Sequence, residues 1–287
     1  MKFGPSNPFV LPSLGVLPAC LVGVGIMVLL DAPKMMPLMN LATAFVGLVG
    51  IGFGAASLAR WIERRTFGIA AALALPGFAT LFDAGLNGVF RWVRLGPLRL
   101  HLTSILTPAL LWAWLVLWER QKTTSVLVLF VLLLGLLGLQ PDAGQATALA
   151  AAMLVLALLP DKRTVARAVL VGLSVVGAAV AWTRPDPLVG VDMVEYIVPR
   201  AWAFHPALGA VAIGALAWLP MTTAMTAHAS RKNQFTRTYG LMLTGYFAAG
   251  MLVSATGKFP TPVLGFGASP ILGALLGLGL LRRSPES

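Results

Sequence analysis

Apolar runs of membrane-crossing length recur from one end of this 287-residue chain to the other, and no polar stretch of domain size interrupts them. In lipid no water is present to satisfy backbone N–H and C=O groups, so such runs fold as helices that close their own hydrogen bonds. Ten of them are legible, at 11–30, 38–59, 67–83, 102–119, 124–139, 143–160, 165–182, 205–224, 239–256 and 266–281. The composition agrees: 58% of residues are hydrophobic, against about 45–50% in soluble domains. The reading is an all-α polytopic membrane protein of about ten transmembrane helices. Residues 1–287 form one transmembrane domain, with no soluble domain. Several runs fall short of the ~20 residues a crossing helix needs; their ends are expected to continue as loops buried in protein. Pro76 is expected to kink the third run. Gly172, Gly177 and Ala178 suit close helix contact in lipid.

The loops between runs alternate in charge. One set holds Lys2, Arg60, Arg64, Arg65, Arg120, Lys122, Lys162, Arg163, Arg167, Arg231, Lys232, Arg237, Arg282 and Arg283. The other holds Lys34, Arg91, Arg94, Arg99, Arg184, Arg200 and Lys258. Basic loops stay in the cytoplasm, so the first set is expected inside and both termini with it, as an even number of spans requires. The net charge of +11 is spread over these loops, which points to topology and lipid headgroups, not to nucleic acid. Cys20 is the one cysteine, so no intrachain disulfide forms. The first run is read as a retained span, since no small-residue cleavage site follows it.

The stretch "GVFRWVRLGPLRLHLTSILTPALL", 88–111, breaks the charge pattern. It sets Arg91, Arg94 and Arg99 on the outer face. Asp31, Asp83, Asp142, Asp186, Asp192 and Glu195 fall on that same side. Ionisable groups gathered at a membrane boundary mark a site hypothesis. A simpler reading competes with it, in which arginines snorkel to phosphates and Trp92 belongs to an interfacial aromatic belt. Asp142 follows Pro141 and precedes Gly144, and is expected to shape the turn there. Glu195 shares one face with Asp192 if that segment is helical. His101, His205 and His228 are dispersed and lack zinc spacing. The glycine-rich "GLVGIGFGAAS", 47–57, lies inside a span with no strand before it, which excludes a nucleotide loop.

The segment "NGVFRWVRLGPLRLHLTSILT", 87–107, resembles a motif of the SEDS family, the FtsW/RodA/SpoVE-like membrane proteins of bacterial cell-wall synthesis. Asn87, Gly88, Arg91, Trp92, Arg94, Leu95, Gly96, Pro97 and Leu98 match in register, after three spans as in the family. "LQPDAGQATAL" at 139–149, "VDMVEYIV" at 191–198 and "PVLGFGASPILGALLGLGLL" at 262–281 resemble further family blocks in family order. Two departures stand out. His101, Leu102, Thr103, Ser104 and Thr107 occupy the place of a family element that carries a glutamate and a lysine. The outer connection between spans seven and eight shrinks to about "TRPDPLVG", 183–190.

The resemblance implies a SEDS-like bundle in a bacterial inner membrane. An active member is a peptidoglycan-type glycosyltransferase that polymerises a lipid II-type glycan carried on undecaprenyl pyrophosphate. Such chemistry needs a general base for the acceptor hydroxyl and cations for the leaving pyrophosphate. Asp192 matches the family's essential aspartate and is the catalytic candidate, with simple pairing to Arg184 or Arg200 as its alternative. Arg91, Trp92, Arg94, Arg99, Asp142, Arg200 and Lys258 are the substrate-binding candidates. Arginine forks bind phosphate oxygens in pairs. No cofactor is expected; a divalent cation would suit the chemistry, but no ligand spacing supports one. Membrane lipids and a single-span transpeptidase are the expected partners. Two other readings stay open: a catalytically degenerate SEDS-like scaffold or regulator, for which the departures argue, and a lipid-carrier transporter.

Overall fold

The computed structural model describes residues 10–83, 85–96 and 98–283; residues 1–9 (Lys2 among them), Ala84, Pro97 and residues 284–287 lie outside the described residues. Nearly everything described is helical. The long helices are α1 (Val10–Leu29), α2 (Met35–Arg64), α3 (Thr66–Ala79), α4 (Leu102–Glu119), α5 (Thr123–Leu139), α6 (Ala143–Leu158), α7 (Thr164–Trp182), α9 (Pro206–Ala229), α10 (Gln234–Ser254) and α11 (Ala268–Leu281). They correspond in order to the ten apolar runs. A short helix, α8 (Ile197–Phe204), precedes α9, and a two-stranded hairpin of β1 (Val93–Leu95) and β2 (Leu98–Leu100) precedes α4. Five helices are long and apolar enough to cross a bilayer by themselves. The shorter ones, such as α6 and α11, end in the loops that build one face of the bundle.

The burial pattern is that of a protein solvated by lipid. Helices α4 and α11 form the centre. Every residue from Thr107 to Trp118 is buried, and so is nearly every residue of α11. Small residues permit this approach: a Cβ on Gly273 would lie 2.3 Å from the Ser104 carbonyl oxygen, and only glycine allows the two backbones that close. Around this pair α10 packs on α6 and α9, α6 on α7, α1 on α2 and α9, and α3 on α4. The outer faces of α2 and α7 carry Phe45, Phe53, Val175 and Val176 in the open. In water such a surface would aggregate; in hydrocarbon it is the solvated face.

α3 remains α-helical through Pro76 and tightens into a 3₁₀ turn over Thr80–Phe82. One local expectation changes. Residues 191–196 are a compact turn, not a helix: the Val191 carbonyl accepts the amides of Val194, Glu195 and Tyr196. Asp192 and Glu195 therefore do not share a helical face.

Candidate functional site

The loops after α3, α5, α7 and α10 meet at one end of the bundle, where the recognisable motifs also gather. The sequence "NG" makes the first turn. Asn87 and Gly88 both have positive φ (51° and 81°), and Leu86 and Val89 exchange backbone hydrogen bonds around them. Glycine and asparagine take this conformation at low cost. Gly96, with φ 59°, begins the turn between β1 and β2. In the hairpin register Arg94 lies opposite Arg99, so two exposed guanidinium groups project side by side from one face. Like charges in that position repel. Asp83 accepts the Arg94 amide at 3.2 Å. Asp83, Trp92, Arg94 and Arg99 line a small surface hollow.

Beneath the hairpin the polar groups are buried and paired. The Arg91 side chain is 4% exposed. It donates to the carbonyls of Gln140 (3.3 Å) and Pro141 and to Asp186 at 2.6 Å, and its guanidinium lies 5.4 Å from the Phe259 ring. Gly144 makes room for that ring, since a Cβ there would stand 2.6 Å from it. Asp142 caps α6 by accepting the Gln145 amide (3.1 Å), and its other oxygen meets His101 Nε2 at 2.7 Å. His101 in turn caps α4: its Nδ1 accepts the Ser104 amide at 3.1 Å. Trp92 stacks edge-on against His101, with ring centroids 6.2 Å apart. Burial alone would raise the Asp142 carboxyl. The interaction with His101, the Arg91 charge and the hydrogen bond from the Gln145 amide together outweigh burial and hold it below the ordinary carboxylate value.

Asp192 has different surroundings. It is about half exposed and pairs with Arg200 of α8 at 2.6 Å, which holds the Arg200 proton more tightly. Its turn is pinned to the loop after α10: the Thr261 amide donates to the Val194 carbonyl (3.0 Å) and the Phe266 amide to the Met193 carbonyl (2.7 Å). Glu195 points back into the turn and accepts the Val191 amide at 2.8 Å. Burial raises its pKa, and that amide and Arg91 offset the rise only in part. Lys258 is exposed, one residue before the Phe259 that covers Arg91.

The structure thus brings Arg91 and Asp142 into one buried cluster, with the partly buried Trp92 against its edge. Arg94 and Arg99 lie on the hairpin above it, Asp192 and Lys258 lie on the adjoining loops, and Arg200 lies on α8. Asp192 pairs with Arg200 and not with Arg184. Sequence reasoning missed the residues that join these parts. Asp186 supplies the Arg91 counter-charge. Asn40 of α2 donates to the Gly265 carbonyl (3.0 Å) and accepts the Gly267 amide (3.2 Å). Ser269 accepts the His101 amide at 2.9 Å. Weak signals existed: Asn40 interrupts an apolar run, and Asp186 stands between two prolines. Among the described residues no group of three or more His, Cys, Asp or Glu side chains is gathered as a metal would require.

No family model matches the sequence, and no curated protein sequence matches it. Among solved structures, the rod shape determining protein RodA of Thermus thermophilus aligns with a TM-score of 0.63 at 18% identity, covering 96% of this chain and 95% of that one. An aspartate-to-alanine mutant of the same protein aligns with a TM-score of 0.63 at 20% identity, covering 96% of each chain. The chain has a SEDS-type fold. That fold, with its apolar helices, makes it a multi-pass membrane protein. The motif resemblance and the three-dimensional likeness are separate observations, and both span nearly the whole chain.

Proposed function

We propose that this SEDS-type protein polymerises a glycan carried on a polyprenyl pyrophosphate of lipid II type. It works at the outer face of a bacterial inner membrane, with both termini in the cytoplasm. The observation that carries the reading is the arrangement at one end of the bundle: two guanidinium groups side by side at Arg94 and Arg99, and an exposed carboxylate at Asp192 on an adjoining loop. Asp192 takes the proton of the acceptor hydroxyl as that oxygen attacks the donor's anomeric carbon. The bond from that carbon to the pyrophosphate oxygen breaks, and the charge that develops there is met by Arg94, Arg99 and Lys258. Arg200 holds the Asp192 carboxylate in place by pairing with it, and Trp92 offers an apolar plane beside the cations. Arg91 and Asp142 act as positioning residues, since both are buried and already paired.

The test is polymer yield from lipid II by the purified protein in detergent, for the parent and for Arg94→Gln/Arg99→Gln. Loss of about a hundredfold in the double variant is expected. Unchanged yield would remove the proposed pyrophosphate site.

The second reading, a scaffold or regulator working with a single-span transpeptidase, is favoured by one observation. Only residues 183–196 connect α7 to α8, so little chain is present to fold over a substrate. It predicts that a transpeptidase-type partner co-purifies equally with parent and Asp192→Ala protein, while neither makes polymer.

A further inference from the structure

At the end of α3 and α4 opposite the Arg91 cluster, the α2–α3 and α4–α5 turns enclose an open hollow. Arg64, Arg65, Arg120 and Lys122 line it, together with Phe67 and Ser125. All four basic side chains are exposed. Among the described residues no ion pair engages Arg64, Arg65 or Lys122. The neighbouring turn behaves otherwise. There Arg163 pairs with Asp161 and lies over the Trp118 ring, and Arg167 donates to the Ala157 carbonyl at 2.6 Å. Glu63 and Glu119 adjoin the basic residues in sequence, but neither lines the hollow, which keeps an excess of positive charge.

Helices α2 and α4 end here and α3 and α5 begin here, with Arg65, Arg120 and Lys122 at the caps. Dipole ends of both signs therefore meet at the hollow, and its positive charge comes from the side chains. The wall on the lipid side is apolar: Phe67 is 57% exposed, and nothing lies within 4 Å of a Cβ built on Gly68. Trp61, half exposed one turn before Arg65, stands where interfacial tryptophans stand.

We propose that this hollow is a binding site for an anionic glycerophospholipid of the leaflet facing it. The phosphate sits among Arg64, Arg65, Arg120 and Lys122, and the acyl chains run over Phe67. A soluble phosphate would satisfy the cations but would leave the adjoining apolar wall uncovered, so the lipid is the occupant that matches both surfaces. The site lies across the membrane from the proposed polymerase residues and does not depend on that activity.

Native mass spectrometry of the purified full chain, titrated with phosphatidylglycerol and with phosphatidylcholine, tests this. The parent is expected to retain one phosphatidylglycerol in preference to phosphatidylcholine. Arg64→Gln/Arg65→Gln/Lys122→Gln should weaken that adduct by about tenfold or more. Arg64→Lys/Arg65→Lys, which keeps the charge and guards against a folding artefact, should retain it. A control of equal charge loss, Arg231→Gln/Lys232→Gln/Arg237→Gln, should stay within about twofold of the parent. Equal loss in both triple variants, or no preference for the anionic lipid, would overturn the site. Displacement of the adduct by excess inorganic phosphate would overturn the lipid as occupant, and persistence of the adduct would support it.

Discussion

Arg91 and Asp192 both belong to recognisable motifs and stand at the same end of the bundle, in opposite surroundings. Arg91 is sealed under Phe259, with its side chain 4% exposed and bound to two carbonyls and Asp186. Asp192 is 54% exposed and is held by one surface arginine. A buried charge bonded on several sides fixes the loops it joins, and removing one partner strands the rest. An exposed carboxylate with one partner adds little to stability and remains open to solvent and ligand. The motifs therefore divide by burial: the inward residues hold the outer loops together, and the outward residues stay open to solvent and ligand.

The largest effect that would sharpen this division is that of Arg91→Ala. It leaves the Gln140 and Pro141 carbonyls without this donor and strips Asp186 of its counter-charge, leaving it only the Leu188 amide, at a cost of about 3 kcal/mol, read as a fall in melting temperature in detergent. Asp192→Ala should leave the melting temperature within about 2 °C of the parent. Equal destabilisation by the two would break the comparison. Next comes His101→Ala, which removes the α4 cap and the Asp142 partner and should cost about 2 kcal/mol.

Asp142→Asn isolates the charge of that pair and should cost about 1 kcal/mol near neutral pH. Because the folded carboxyl is held below its ordinary 3.8, the ionised form stabilises the fold above that value. The variant's deficit should shrink as pH falls below 3.8 through the folded pKa, and a pH series of melting curves checks this. Glu195→Gln has the smallest effect and the opposite sign. The Val191 amide keeps an oxygen acceptor, while the burial penalty on the charge disappears, so the variant should gain less than about 1 kcal/mol at neutral pH. That gain should fade as pH drops through the raised folded pKa toward 4.5, where parent Glu195 is itself protonated.

Much of the scaffold was legible because lipid imposes one rule on every span. The apolar runs located all ten long helices, and the family-like segment that holds Asn87, Gly88 and Gly96 proved to contain the turns their positive φ allows. Pairing across the sequence was not legible. Arg91 meets Asp186 across 95 positions, and Asn40 meets Gly265 across 225; no local pattern encodes either. α8 escaped notice because its eight residues are too few to set up a helical period. The 191–196 turn was open to a helical reading because spacing alone cannot distinguish a tight turn from one turn of helix. Exposure was hidden as well: "RWVR" does not announce that Arg91 turns inward while Arg94 turns outward.

The most direct test compares parent and Asp192→Asn protein in polymer yield from lipid II, with melting temperature read on the same samples. The account predicts at least about a hundredfold loss of yield with the melting temperature unchanged. A variant that melts like the parent and still polymerises at parental rate would contradict it.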